Sequence, residues 1–72
     1  MRRSLDVVIE KCKITAVILE QKKEVTLLID AENNPKQKPW VGKRVGDKYN
    51  LSVANITYVI KKIEERLPED DI

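Results

Sequence analysis

Both glycines and the single tryptophan of this 72-residue chain fall within one short run, Pro39-Trp40-Val41-Gly42-Lys43-Arg44-Val45-Gly46-Asp47. Glycine enters positive φ without steric cost, so the tightest backbone turns are expected here. Gly46-Asp47 stands directly before the alternating run Lys48 to Val53, which reads as a turn feeding a strand. Trp40, the largest apolar side chain available, sits beside that turn and is the obvious anchor for a core.

The core it anchors must be thin. A chain of this length permits one domain, and such a domain buries only about 60% of the surface its unfolded chain exposes. At roughly 0.05 to 0.15 kcal/mol per residue its stability is of the order of 4 to 11 kcal/mol, so loss of one large core side chain can unfold it. Hydrophobic residues make up 42% of the sequence and charged ones 36%. That is highly charged, yet it holds enough Ile, Val and Leu for an ordered fold. Residues 1–67 read as a single small β-rich domain and residues 68–72 as an acidic tail.

One cysteine and no histidine remove several chemistries at once. A lone thiol forms no internal disulfide, and zinc sites built on Cys and His have no ligands, which together point to a reducing cytoplasm. Cys12 lies between Lys11 and Lys13, a setting that lowers a thiol pKa, but it also shares one side of an alternating run with Ile14, Ala16 and Ile18; the core reading is preferred. Arg2-Arg3 is followed by apolar runs, Val7 to Ile9 and Ala16 to Leu19, too short for a signal peptide or a membrane span. Gly42-x-x-x-Gly46 has the spacing of a membrane-helix packing motif but encloses Lys43 and Arg44, so it belongs to a turn. Asp30 with Glu32, and Glu69 to Asp71, lack the spacing of a calcium loop and read as solvated carboxylates. Asn55-Ile56-Thr57 matches a glycosylation acceptor that a non-secreted chain never uses. No nucleophile is paired with a base, so no enzyme is expected, and no cofactor is implied.

The expected elements are mainly β. Lys13 to Leu19 and Glu24 to Asp30 are β-branched runs joined by Glu20-Gln21-Lys22-Lys23, short enough for an antiparallel hairpin. Both faces of this hairpin carry apolar residues, which suits one face over a core and the other against a helix or partner. Residues 31 to 39 collect Asn33, Asn34, Pro35 and Pro39 and read as a loop with one helical turn, since neither proline suits a central strand. Ile56, Val59, Ile60, Ile63 and Leu67 fit helical spacing with Ser52 as cap and Pro68 as stop, while Ile56, Tyr58 and Ile60 fit strand alternation. The composition of Ile56-Thr57-Tyr58-Val59-Ile60, four β-branched residues and one aromatic, favours a strand, taken through Ile63 and followed by a helical turn and a frayed tail. Leu5, Val7 and Ile9 form another strand or, with Val8, a short helix.

Asn34-Pro35-Lys36-Gln37-Lys38-Pro39-Trp40-Val41-Gly42-Lys43-Arg44-Val45-Gly46-Asp47 resembles the Ser-Pro-Leu-Gly…Leu-Gly-Lys-Lys-Val-Gly-Asp stretch in the C-terminal domain of the Gre transcript-cleavage factors. Tyr58-Val59-Ile60-Lys61-Lys62-Ile63 resembles that family's closing Tyr-x-Ile-x-x-Ile strand. The likeness covers about residues 12 to 64. It implies an FKBP-like fold: a small bent antiparallel sheet of about four strands with a short helical turn before Gly42. Asn34 replaces the family's serine, Lys36-Gln37 its Leu-Gly, and Pro39 a helix-friendly residue. The Gre coiled coil, whose acidic tip helps hold a catalytic metal in the polymerase's secondary channel, has no counterpart before the first strand. The resemblance therefore implies binding without chemistry, to RNA polymerase or another transcription component, through Asn34, Pro35, Lys38, Trp40, Lys43 and Arg44. FKBP-like prolyl isomerases work with an aromatic pocket, which three aromatic residues with no Phe do not furnish.

A different class of function follows from charge. Lys36, Lys38, Lys43, Arg44 and Lys48 gather around Trp40 and Tyr49 with Asp47 as the one acid among them, the composition of a surface that tracks phosphates while aromatics stack on bases. Lys36, Lys38, Trp40, Lys43, Arg44, Lys48 and Tyr49 would then bind single-stranded nucleic acid. The overall charge of +2 and the acidic tail favour a protein partner instead, or a solvated loop with Trp40 in the core. A homodimer through an edge strand stays open.

Overall fold

The computed structural model describes residues 3–71, and among these the chain forms one four-stranded antiparallel sheet. β1 (Lys11–Ile18), β2 (Lys23–Asp30), β3 (Lys48–Leu51) and β4 (Ile56–Glu65) take the order β2-β1-β4-β3. A 3₁₀ helix spans Pro35–Trp40, immediately before Gly42, and another spans Pro68–Asp71. The mainly β class and the short helical turn follow the sequence reading. The strands run slightly differently from expectation: β4 continues past Ile63 to Glu65, and β3 ends at Leu51 instead of Val53. The acidic residues expected to fray take the second 3₁₀ helix, where the Leu67 N–H donates to Asp70 Oδ2 at 3.1 Å; Ile72 and Arg2 lie outside the described residues.

β1 is central because its alternation is the most complete. Cys12, Ile14, Ala16 and Ile18 are all buried, while Lys13, Thr15 and Val17 lie half-exposed on the opposite face. Its neighbours bring matching residues to the inner face: Ile29, Leu27 and Val25 stand opposite Cys12, Ile14 and Ala16 on β2. On β4, Ile63 stands opposite Ile14 and Ile60 opposite Ala16. That register skips Lys61, a β-bulge on β4 against Thr15 and Ala16 of β1. The bulge brings Ile60 and Ile63, three residues apart, to the same face. It therefore explains why the segment carries helix-like spacing and is still a strand.

A thin layer covers the inner face. Val8 and Trp40 are buried against it, with Leu5 packed alongside, and Ala31 is also buried. The N-terminal segment is neither the strand nor the helix expected of it. It makes isolated bridges, Ser4 to Glu64 and Val7 to Arg44, and its Leu5 N–H donates to the Ile63 carbonyl at 2.8 Å. On the outer face Leu28 is exposed and Val17 half-exposed, while Val59, opposite Val17, is buried. No helix among the described residues is long and apolar enough to cross a membrane.

Candidate interaction surface

The segment from Asn34 to Asp47 is held to the sheet by side chains and backbone together. Asn34 caps the 3₁₀ helix, its side chain accepting from the Lys36 N–H at 3.3 Å, and Pro35 occupies the first turn, where its missing N–H costs nothing. Below it, the Asp30 carboxylate accepts from the Asn33 side-chain amide at 2.9 Å and from its backbone N–H at 3.1 Å. These bonds, the side-chain one first, pull the Asp30 pKa below the ordinary carboxylate range. Gln37 splints the helix to the sheet: its Oε1 accepts from the Asp30 N–H at 2.7 Å and its Nε2 donates to the Leu28 carbonyl at 3.4 Å.

The following turn is clamped on two sides. The Gly42 N–H donates to the Val8 carbonyl at 2.9 Å and the Val8 N–H to Lys43 at 2.8 Å. The Gly46 N–H donates to the Ile60 carbonyl at 2.8 Å, and the Ile60 N–H returns to Asp47 at 3.0 Å. Between these anchors Asp47 Oδ2 accepts from the Arg44 N–H at 2.8 Å. Gly42 and Gly46 have φ of 94° and 93°, the left-handed region in which a Cβ is strained.

The basic residues do not form one continuous patch with the aromatics. Trp40 is 6% exposed; its ring stacks on Tyr49 at 4.5 Å between centroids and meets Tyr58 edge-on at 5.4 Å. Tyr49 and Tyr58 stand opposite each other on β3 and β4, so all three aromatic residues of the chain share one cluster. Lys43 Nζ lies 5.3 Å from the centre of the Tyr49 ring, within cation–π range. Lys48 stands opposite Val59, one residue from Tyr49 along the strand, and therefore projects from the other face of the sheet. Lys36, Lys38 and Arg44 are exposed, as are Asn34 and Pro35.

Two features of this surface have no signal in the sequence. Gln37 acts only because β2 ends beside the 3₁₀ helix. An open cleft of about 470 Å³ is lined by Glu10, Ala31, Glu32, Lys38 and Val41, residues brought together from three separate segments. Exposed Ile9, Val41 and Val45 lie on the same two clamped segments. Cys12, the one thiol, is fully buried and donates to the Ile9 carbonyl at 3.5 Å; burial pushes its pKa up, against smaller opposing effects from that bond and from Arg66. No group of His, Cys, Asp or Glu among the described residues is arranged to hold a metal ion. Compared with protein-family models, with curated proteins and with solved structures, the chain matches none.

Proposed function

We propose that this domain is a non-catalytic protein-interaction module, resembling the FKBP-like C-terminal domain of the Gre factors, that docks on RNA polymerase or another transcription component. The observation that carries the proposal is the way the segment from Asn34 to Asp47 is fixed before any partner arrives. Gln37 ties one end to β2, and Val8 and Ile60 clamp the other. A surface so fixed loses little conformational entropy on binding. It offers Asn34, Pro35, Lys38 and Arg44 beside exposed Val41 and Val45, a mixture of charge and apolar area that suits a protein surface with acidic groups. Trp40 and Lys43 support this face from beneath, one in the core and one over Tyr49.

The nucleic-acid reading has less to draw on. Stacking needs exposed rings, whereas Trp40 is buried and Tyr49 is covered by it. The remaining phosphate ligands, Lys36, Lys38 and Arg44, lack Lys48 on their face. A pull-down with RNA polymerase at low salt tests the proposal: the wild-type domain retains polymerase, and Lys38→Glu with Arg44→Glu releases it. Absence of every polymerase subunit from the wild-type pull-down overturns the polymerase version. Oligonucleotide binding that weakens steeply between about 50 and 200 mM salt would put the nucleic-acid reading in its place.

A further inference from the structure

β2 is an eight-residue strand on the outside of the sheet, whereas the opposite edge, β3, has four. A long open edge presents a row of backbone donors and acceptors to any strand that can pair with it. Gln37 shows which groups face outward: it takes the Asp30 N–H and the Leu28 carbonyl. By the period of two, the N–H and C=O groups of Glu24 and Thr26 face the same way. Among the described residues no hydrogen bond reaches them from that side. The open stretch has defined limits, closed by Gln37 beyond Leu28 and by the turn at Lys22, where φ is 50°.

From this edge we infer that the domain self-associates, β2 pairing antiparallel with β2 of a second copy about a two-fold axis at Val25. This register leaves the Gln37 seat undisturbed. Glu24 of each copy exchanges backbone hydrogen bonds with Thr26 of the other. Val25 faces Val25, and Lys23 lays its aliphatic stem beside Leu27. Val25 and Leu27 already pack half-buried at the margin of the core, so a second strand completes their cover. The match of the strand with itself is what favours a second copy over a foreign peptide. The pairing is also closed, since both long edges are used and only the two four-residue β3 edges remain. A contact of this size buries less than the roughly 1,200 Å² of a stable interface. The two Glu24 side chains lie diagonally about 7 to 8 Å apart, which weakens it further, so the dimer is concentration-dependent.

Sedimentation equilibrium on the full chain, from about 10 μM to about 1 mM to span a weak sub-standard interface, reads the outcome directly. The apparent mass should rise from 8.3 kDa towards twice that value. Thr26→Pro removes an outward-facing N–H without breaking the β1–β2 ladder and should weaken association about tenfold or more at unchanged far-UV circular dichroism. Thr26→Glu, which alters only an exposed side chain and sets a carboxylate directly opposite Glu24 of the other copy, should weaken it as well and keeps the test decisive where the proline variant fails to fold. A mass that stays at 8.3 kDa to the highest concentration overturns the inference. So does a dimer untouched by Thr26→Glu, or capture of a foreign strand by the edge with no self-association.

Discussion

Trp40 carries much of this small fold, because its ring closes the cluster of Tyr49 and Tyr58 and packs in the core on the inner face of the sheet. Truncation of a buried aromatic costs about 3 to 5 kcal/mol, against a total expected near 4 to 11 kcal/mol for a chain of this length. Trp40→Ala should therefore leave the domain largely unfolded at 37 °C, a temperature at which marginal variants of mesophilic domains are already near their midpoints; urea titration followed by far-UV circular dichroism measures it. Cys12 tests the same core from the other side. Burial raises its pKa and hides it from solvent, so the thiolate that reacts is scarce in the native state. Labelling by a thiol reagent should track unfolding, and fast labelling of the native protein would show an opening at the Ile9 end of β1.

At the scale of elements, the two hairpin ends are braced by one carboxylate. Glu20, in the turn after β1, accepts from the Thr57 N–H and hydroxyl at 2.7 Å each, while Asn50 donates to the same hydroxyl at 2.9 Å. The Thr57 side chain first, and then its backbone N–H, hold the Glu20 pKa below its ordinary value. A carboxylate depressed in the folded state adds stability that is full above the unfolded pKa of about 4.3 and is lost as pH falls through the folded value. Glu20→Gln should therefore flatten the acid limb of a melting-temperature profile below that point, with Asp30, depressed in the same direction, supplying what remains. Gly46→Ala tests the turn on the far side. With φ at 93° and nothing within 4 Å of a Cβ, its cost is conformational alone, roughly 1 to 2 kcal/mol, measurable by chemical denaturation. The hairpin, the short helical turn and the closing strand were legible in the sequence because each rests on local chemistry: alternation, prolines, β-branching. The bulge at Lys61 was not, since it exists only in the register between β1 and β4. Nor were the Gln37 splint and the cleft beside Lys38, which join residues distant along the chain.

For the whole molecule, the sheet order places β1 between β2 and β4, so the chain's centre of strength is also its most non-local pairing. The segment from Asn34 to Asp47 bridges the two halves, leaving β2 at one edge and entering β3 at the other. Trp40 is the point where it meets the core. Its emission therefore reports the state of the entire domain and separates the functional readings as well. A ring that is 6% exposed and stacked on Tyr49 should emit at short wavelength and resist acrylamide until the sheet unfolds. Adding single-stranded oligonucleotide should leave the spectrum unchanged, because a base cannot replace Tyr49 without dismantling the inner face. Docking of an acidic protein surface on Lys38 and Arg44 should act differently: the binding heat should fall with added salt while Trp40 stays protected, since those charges are exposed and screened over about 10 Å at 0.1 M salt. A red-shifted, readily quenched Trp40 that responds to oligonucleotide would reverse the order of the two readings and return Tyr49, Lys43 and Lys36 to a binding face.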